Sequence, residues 1–313
     1  MKIEARYASR VLTIMTIIFL TSVTVAAIPI NAQPIVIRVP QDYSTIQNAV
    51  DIASPGDTII VGSGEYYGAI LDKDNVEIRG LGAVIVDGPQ HDSDPNLKIG
   101  FFCVSPLSIG VTISGFTFMV DLPILGRGCD YVTVEHNVMI QPLQGVTCVG
   151  GSRWSISHNE IYGIKYLLSY YGAGILIYSV SSSDPSASGN LVAFNKITGD
   201  FPDFRELPPI GIWLSSQGGI VTRNKIVHNQ VVMTGSGPQP LPPGAIVMSC
   251  LDPNVQSLLY DNKIGFNDLR GSSIEIFGFP WGSAFWDYND ISRNLGMNRV
   301  YDGMPPNEFK PLI

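Results

Sequence analysis

The stretch WSISHNEI, residues 154–161, places apolar residues at alternate positions, then an asparagine, then an aliphatic residue two positions later. The same arrangement recurs as VTVEHNVM at 132–139, LVAFNKI at 191–197, IVTRNKI at 220–226, LLYDNKI at 258–264 and FWDYNDI at 285–291. Apolar alternation with a period of two predicts short strands with one buried face. A chain that returns so often to one strand and turn unit is typical of a repeat architecture.

The asparagine of each repeat suits a sharp turn between two strands, because asparagine tolerates the left-handed backbone region and its amide can bond to neighbours. If each repeat is one coil of a helical ribbon, equivalent asparagines stack one strand spacing apart, about 4.8 Å. The sequence therefore predicts a single structural ladder formed by Asn137, Asn159, Asn195, Asn224, Asn262 and Asn289. Short strands led by glycine, such as GILIY at 174 and GIWLS at 211, add at least one more strand to each coil.

Composition agrees with a large, mostly β protein. The chain has 313 residues, of which 45% are hydrophobic and 15% charged, with 32 glycines and 22 prolines. It can therefore bury a large core, and it is too apolar to be disordered. The net charge of −8 and the lack of a run of Lys and Arg argue against a nucleic-acid partner, since phosphate binding needs clustered cations.

The first residues differ from the rest. Three cations at Lys2, Arg6 and Arg10 precede an uncharged run at 11–30, and small residues follow. This pattern predicts a signal peptide, or alternatively an N-terminal membrane anchor, over 1–32. We expect a secreted or extracytoplasmic monomer, tethered to a membrane through 11–30 if at all. Residues 33–293 would form the repeat domain and 294–313 a C-terminal tail or cap, with the aromatic segment 277–288 closing the end of the core.

The opening segment 39–68, VPQDYSTIQNAVDIASPGDTIIVGSGEYYG, predicts a short amphipathic helix over 43–53 with Ser44 as its N-cap. This segment and the repeats resemble the right-handed parallel β-helix proteins of the pectin lyase-like superfamily, in particular secreted repeat proteins related to the copper-associated NosD family. The resemblance covers nearly all of the chain after residue 32. It implies an all-β fold, a single-stranded right-handed parallel β-helix whose N-terminal end is covered by the short helix.

No catalytic motif of the superfamily can be carried over. The signatures of pectin methylesterases and polygalacturonases are missing from the sequence. The resemblance leaves Ca²⁺ and copper open as metal ions, and no cofactor follows from the residues themselves. Whether the protein is an enzyme stays open; as an enzyme, it would be a polysaccharide lyase or a glycoside hydrolase.

Three consecutive coils carry insertions at one position, at 162–172, 198–209 and 230–243. Because coils stack in register, these loops should emerge on one side and wall a cleft that binds polysaccharide. Tyrosine rings would contact the sugar, and charged groups would serve catalysis. The candidate catalytic residues are Lys165, Asp200, Asp203, Arg205 and Glu206, and the candidate substrate-binding residues are Tyr162, Tyr166, Tyr170 and Tyr171.

Several alternatives stay open at this point. The loops could be structural or form protein contacts, which would make the chain a non-catalytic envelope protein; a NosD-like periplasmic copper-associated factor is the other alternative. His136 and His158 precede consecutive asparagines of the predicted ladder, so their rings should lie about 5 Å apart and could hold a metal ion. Cys129 and Cys148 align in the repeat, with Cys103 comparably placed, as a buried column of free or disulfide-bonded sulfurs.

Overall fold

A computed structural model describes residues 33–104, 108–165, 171–180, 186–201, 209–235, 243–250, 258–279, 288–296 and 300–302. Three long parallel sheets and one short one run across the repeats, which makes the fold a parallel β-helix, as the sequence predicted. Sheet A contains, in spatial order, β1 (Val36–Val39), β2 (Thr58–Val61), β5 (Glu77–Gly80), β9 (Thr112–Ser114), β12 (Thr133–Glu135), β15 (Ser155–Ser157), β19 (Leu191–Ala193), β23 (Lys225–Val227), β27 (Lys263–Gly265) and β29 (Asp290–Ser292).

Sheet B follows sheet A in each coil after a tight turn. It contains β3 (Gly64–Tyr67), β6 (Ala83–Asp87), β10 (Thr117–Phe118), β13 (Val138–Ile140), β16 (Glu160–Tyr162), β20 (Lys196–Phe201) and β24 (Gln230–Gly235). Sheet C completes the coil with β4 (Ala69–Leu71), β8 (Asp94–Val104), β11 (Leu122–Arg127), β14 (Gln144–Val149), β17 (Ala173–Val180), β21 (Ile210–Gln217), β25 (Gly244–Cys250), β28 (Ile274–Phe279) and β30 (Val300–Asp302). An antiparallel strand, β7 (Gln90–His91), pairs with β8.

Later coils contain a fourth strand between sheets C and A. These strands form sheet D, which consists of β18 (Ser186–Ser188), β22 (Ile220–Thr222) and β26 (Leu259–Tyr260). Each coil therefore gains a corner between sheets D and A, in addition to the corner between sheets A and B. This extra corner changes the asparagine ladder.

The structure contains two amide ladders, which corrects the prediction of one. The first ladder lies at the corner between sheets A and B and consists of Asn137, Asn159, Asn195, Asn229, Asn267 and Asn294. The second ladder lies between sheets D and A and consists of Asn190, Asn224, Asn262 and Asn289. In both ladders the Oδ1 atom of each asparagine accepts from the backbone N–H of the equivalent residue in the preceding coil, at 2.7–3.1 Å. The Nδ2 amide of a preceding asparagine donates to the same Oδ1 atom throughout the first ladder and, in the second ladder, from Asn224 onward. The Nδ2 amide of Asn190 donates instead to the carbonyl oxygen of Gly151 at 3.0 Å. The six predicted residues thus divide equally between the two corners.

The interior is filled by one aliphatic or aromatic row per sheet. In sheet A the row is in register across neighbouring strands and consists of Ile113, Val134, Ile156, Val192, Ile226 and Ile264, all fully buried. A second apolar cluster covers the outer face of sheet C, where Leu176, Trp213 and Val247 stand in one row and are also buried. Burial of these side chains is the main favourable term in folding of the coil stack.

The helix α1 (Ile46–Ile52) packs its buried side chains Ile46, Ala49 and Val50 against the first coils. Its N-cap is Thr45, whose hydroxyl accepts from the backbone N–H of Asn48 at 3.1 Å, so the prediction of Ser44 is wrong by one position. The helix occupies the middle of the predicted range 43–53. It covers the N-terminal end of the core, as terminal units of solenoids must.

All four cysteines are buried, and none of them forms a disulfide. Cys103 and Cys148 stand in one row with Gly126 between them, so the predicted alignment of Cys129 with Cys148 is wrong by three residues. Burial raises the pKa of the Cys103 thiol well above its ordinary value, and the neighbouring Cys129 and Cys148 add to this effect. A buried thiol with a raised pKa is unreactive, so this cluster is part of the core.

Candidate functional site

The three predicted loops start and end on paired strands. The loop after Tyr162 leads to β17, the loop after Phe201 leads to β21, and the loop after Gly235 leads to β25. The strands before the loops pair with one another in sheet B, and those after the loops pair in sheet C. The expectation that the loops emerge on the same side of the coil stack is confirmed, at the edge between sheets B and C.

Part of each loop lies outside the described residues. This applies to five predicted site residues, namely Tyr166, Tyr170, Asp203, Arg205 and Glu206. Of the other predicted residues, Lys165 and Tyr171 lie at the ends of the first loop, Tyr162 ends β16 and Asp200 lies in β20. The predicted bounds 198–209 and 230–243 are thus too wide, because 198–201 and 230–235 belong to strands.

Tyr162 is half-buried on the outer face of sheet B, where the first loop begins. The Nζ atom of Lys196, on the next coil, lies 5.7 Å from the centre of the Tyr162 ring, and the Tyr162 hydroxyl donates to Glu160. An ammonium at this distance stabilises the ring electrostatically. Tyr162 therefore presents an aromatic surface with charged groups of both signs beside it.

The charged groups at the loop bases are divided between separate partners. The Nζ atom of Lys165 lies 3.5 Å from Oδ1 of Asp121, whose Oδ2 accepts from the backbone N–H of Lys98 at 3.2 Å. One coil beyond Lys165, Asp200 accepts from the Thr234 hydroxyl at 2.7 Å. Lys165 and Asp200 are thus not paired with each other, although both lie at the edge that carries the loops.

Tyr171 does not lie on the surface, which contradicts its predicted role in substrate binding. Its side chain is fully buried in the apolar cluster on sheet C, and its ring packs edge-on against Trp213 at 5.3 Å between centres. Burial raises the pKa of the Tyr171 hydroxyl strongly. Tyr171 anchors the end of the first loop to the sheet, and a ligand at the surface cannot contact it.

The residues that precede the first ladder form an exposed stack of flat side chains, which we call the first row. It consists of His136, His158, Phe194, His228, Phe266 and Arg293, each with φ between 55° and 60°. Consecutive rings lie 5.0–5.2 Å apart, and the Arg293 guanidinium lies 5.4 Å from the Phe266 ring. The predicted spacing of about 5 Å between His136 and His158 is confirmed.

His136 and His158 face each other as a stacked pair, with 21° between their ring planes. Within the described ranges no group of three or more His, Cys, Asp or Glu side chains could hold a metal ion. The structure shows the pair as a ring-stacking contact at the turn, and the metal ion stays a prediction.

The predicted membrane segment 11–30 lies outside the described residues. In the part of the chain that the structure describes, no helix has the length and apolarity needed to cross a bilayer.

No model of a known protein family matches the sequence, and no curated protein matches it at a significant level. Solved structures that are similar include an alginate lyase from Paenibacillus sp. str. FPU-7, with a TM-score of 0.49 and 13% identity over 87% of this chain and 99% of the lyase. The A-module of a mannuronan C-5 epimerase from Azotobacter vinelandii has a TM-score of 0.29 and 15% identity over 83% of this chain and 91% of its own. The similarity to these structures is one of backbone fold. With its parallel sheets in register and its two amide ladders, this chain is a parallel β-helix protein.

Proposed function

We propose that this protein is exported and binds an extended polysaccharide along the loop-bearing side of the coil stack. The observation that carries the proposal is the register of the three loops, which start one coil apart at the same edge. Loops held side by side on a rigid scaffold form the usual setting for a binding site.

The outer face of sheet B supports this placement. Val86, Met119 and Ile140 are exposed, and Tyr162 pairs with Ile140 in the strand register. Strands repeat about every 4.8 Å along the stack, so a chain lying parallel to the axis would meet apolar side chains on four consecutive coils, from Val86 to Tyr162, before it reaches Thr198 on the next coil. Sugar rings have apolar faces, which suit such a row, while Glu160 and Lys196 provide hydrogen-bonding groups beside Tyr162.

Hydrolysis of a glycosidic bond in the bound chain would need two carboxyl groups about 5 to 10 Å apart across that bond. Asp203 and Glu206 supply two carboxyl groups on the second loop, and Asp200 precedes them at its base. We propose that a glycosidase or lyase activity, where present, depends on this loop.

The experiment is a polysaccharide-binding and depolymerisation screen of the chain from residue 33 onward. Three variants are compared with the unmodified chain: Tyr162→Ala, the double variant Asp203→Ala with Glu206→Ala, and Tyr67→Ala as the control. Tyr67 is an exposed tyrosine of sheet B at the N-terminal end of the stack, away from the loops.

We expect Tyr162→Ala to weaken binding about threefold to tenfold and Tyr67→Ala to leave it unchanged. Product release that the double variant loses would identify an enzyme and its acidic residues. Failure of the unmodified chain to bind any polysaccharide, or equal binding by all variants, would overturn the proposal. Export is checked separately: mass spectrometry of protein recovered outside the cytoplasm should find a chain that has lost its first residues.

A second candidate function is a protein contact in an envelope assembly. The observation in its favour is the exposed apolar row of sheet B, in which Met119 is 55% exposed. Exposed contiguous apolar surface commonly marks a contact site. Met119→Lys should then abolish association, measured by light scattering of the purified chain, and should leave polysaccharide binding less affected than Tyr162→Ala does.

A further inference from the structure

A depression of about 400 Å³ lies at the corner between sheets D and A, near the C-terminal end of the stack. Its lining consists of Asp261, Asn262, Lys263, Tyr288, Asn289 and Asp290. This corner is distinct from the edge between sheets B and C where the loops emerge. The volume falls within the range of about 300 to 1,000 Å³ that is common for small-ligand sites.

Two adjacent coils build the depression in register. Lys263 pairs with Asp290 in sheet A, and the backbone N–H of Asp261 donates to the carbonyl oxygen of Tyr288 at 2.7 Å. Asn262 and Asn289 are buried in the second ladder. The other four side chains, Asp261, Lys263, Tyr288 and Asp290, therefore come from two adjacent coils about 4.8 Å apart, the first of each pair from the turn and the second from sheet A.

Tyr288 lies in a row of residues that are in register from coil to coil at this corner, which we call the second row. In the later coils each member directly precedes an asparagine of the second ladder, and in the two earlier coils it precedes Val132 or Trp154. This row consists of Tyr131, Arg153, Gly189, Arg223, Asp261 and Tyr288. Among the described residues sheet A ends in the coil that contains Tyr288, and none of them follows Tyr288 in the row. The side chain is 56% exposed and makes no hydrogen bond or ring contact with the described residues.

Tyr131 shows what happens to a tyrosine within the row. It is 46% exposed and has a φ of 59°, but the Arg153 guanidinium of the next coil lies over its ring at 5.0 Å. The Arg153 guanidinium therefore covers one face of the Tyr131 ring, whereas no ring or cation of the described residues covers the Tyr288 ring.

The charges around Tyr288 define which ligand fits. Lys263 lies 3.8 Å from Asp290, while the carboxylate of Asp261 has no hydrogen-bond donor or cation among the described residues. Two carboxylates against one ammonium leave one net negative charge, which disfavours an anionic ligand. Carboxylate oxygens accept hydrogen bonds from hydroxyl groups, and the ammonium donates to hydroxyl oxygens.

We propose that this depression is a second carbohydrate site, which takes an uncharged pyranose. The apolar face of the sugar stacks on the Tyr288 ring, and its hydroxyls donate to Asp261 and accept from Lys263. The site acts independently of the loop-bearing side and binds sugar without cleaving it. It would hold one part of a glycan while another part lies elsewhere on the stack.

The test is isothermal titration calorimetry of the chain from residue 33 onward with hexaoses of glucose, in α-1,4 and β-1,4 linkage, and with hexagalacturonate. The variants are Tyr288→Ala, Tyr288→Phe, Asp261→Ala, and Tyr131→Ala as the matched control. These are exposed positions, and circular dichroism confirms that each variant folds.

We expect Tyr288→Ala and Asp261→Ala each to weaken binding of an uncharged hexaose about threefold to tenfold. Tyr288→Phe keeps the ring and should bind within about twofold of the unmodified chain, as should Tyr131→Ala. Hexagalacturonate should be unaffected by Tyr288→Ala. Equal binding by Tyr288→Ala and the unmodified chain, or the lack of any binding to uncharged hexaoses, would overturn this site.

Adding Tyr162→Ala separates this site from the proposed function. If only Tyr162→Ala weakens binding, the proposal of the Tyr288 site is wrong and that of the loop-bearing site stands. If only Tyr288→Ala weakens binding, the loop-bearing site is wrong and the Tyr288 site stands. The two results can be told apart because the two tyrosines lie on different sheets and corners of the coil.

Discussion

The two corners of the coil have the same interior and different exteriors. Inside, both contain an asparagine ladder with the same pattern of amide bonds. Outside, the first row repeats flat side chains that stack on one another, whereas the second row mixes Tyr, Arg, Gly and Asp. The backbone is also alike, with φ of 55–60° in the first row and 55–68° at the members of the second row from Tyr131 to Asp261.

The outer side chains of the two rows differ in what they contact. A left-handed backbone position is unfavourable for histidine and phenylalanine, so the first row offsets a repeated cost through ring stacking. The second row has no such repeat, and its last two members line an open depression. In the first row the repeated side chains stack on one another, whereas in the second row Arg153 covers Tyr131 and only the last two members line the depression.

The largest expected effect comes from breaking a ladder in its middle. Asn195→Ala removes the acceptor of the Asn159 backbone and side-chain amides and a donor to the carbonyl of Ile156. Unsatisfied buried groups cost about 1–3 kcal/mol each, so the free energy of unfolding should fall by about 3 to 6 kcal/mol. Urea unfolding followed by circular dichroism measures this loss. Asn294→Ala, at the end of the same ladder, should lose less than half as much, because water can reach the groups it exposes.

A smaller effect is expected where the second corner begins. Trp154 occupies the place of the first asparagine there, and its indole fills the space beside Gly126. A methyl group on Gly126 would lie 2.5 Å from the Trp154 ring, so Gly126→Ala should destabilise the protein by about 1–3 kcal/mol. In a Trp154→Leu background the same substitution should cost clearly less. Equal costs in both backgrounds would show that the ring is not the obstacle.

The first row should be more sensitive than the second. His228 stacks between Phe194 and Phe266 at 5.1 and 5.2 Å, so His228→Ala should lower the free energy of unfolding by about 1–2 kcal/mol. Arg223→Ala is the matched control, because Arg223 is exposed at the equivalent corner position with the same φ of 56°. It should change stability by less than about 0.5 kcal/mol. Thermal or urea unfolding measures both changes. Equal losses of unfolding free energy in His228→Ala and Arg223→Ala would show that the two rows do not differ in their contribution to stability.

The smallest effect is a pH dependence that comes from His91, the histidine outside the first row. Burial, with the nearby Arg127 charge, lowers the pKa of His91. The unfolded chain binds this proton below about pH 6.5, whereas the folded chain binds it at lower pH, so acid favours unfolding. The contribution of His91 is complete above about pH 6.5 and is lost as the pH falls through its folded pKa. His91→Gln should therefore reduce the loss of stability between pH 7.5 and 5.5, measured by urea unfolding at both pH values, and an unchanged loss would contradict this assignment.

Much of the fold follows from the sequence, because alternation and turn asparagines are local signals. The number of ladders does not follow so directly. The strands of sheet A in the later coils have an asparagine before and after them, as in Asn190 and Asn195 or Asn224 and Asn229. An alignment that takes one asparagine from each coil therefore uses the first ladder up to Asn195 and the second ladder from Asn224 onward. The repeated spacing of five residues between paired asparagines was the signal that identifies two ladders.

The candidate site was less predictable, for a physical reason. Local sequence places a tyrosine in a loop, but it does not decide whether the ring packs inward, as at Tyr171, or stays at the surface, as at Tyr162. That outcome depends on neighbours on other coils, such as Trp213 and Lys196. The depression at Tyr288 was missed for the same reason, since it arises where sheet A ends.

The most direct test of the difference between the corners is the affinity of Tyr288→Ala and His228→Ala for an uncharged hexaose, measured where both variants are folded. We predict that Tyr288→Ala binds the hexaose about threefold to tenfold more weakly than the unmodified chain does, and that His228→Ala binds it as well as the unmodified chain. A loss of affinity in His228→Ala as large as that in Tyr288→Ala would contradict this prediction.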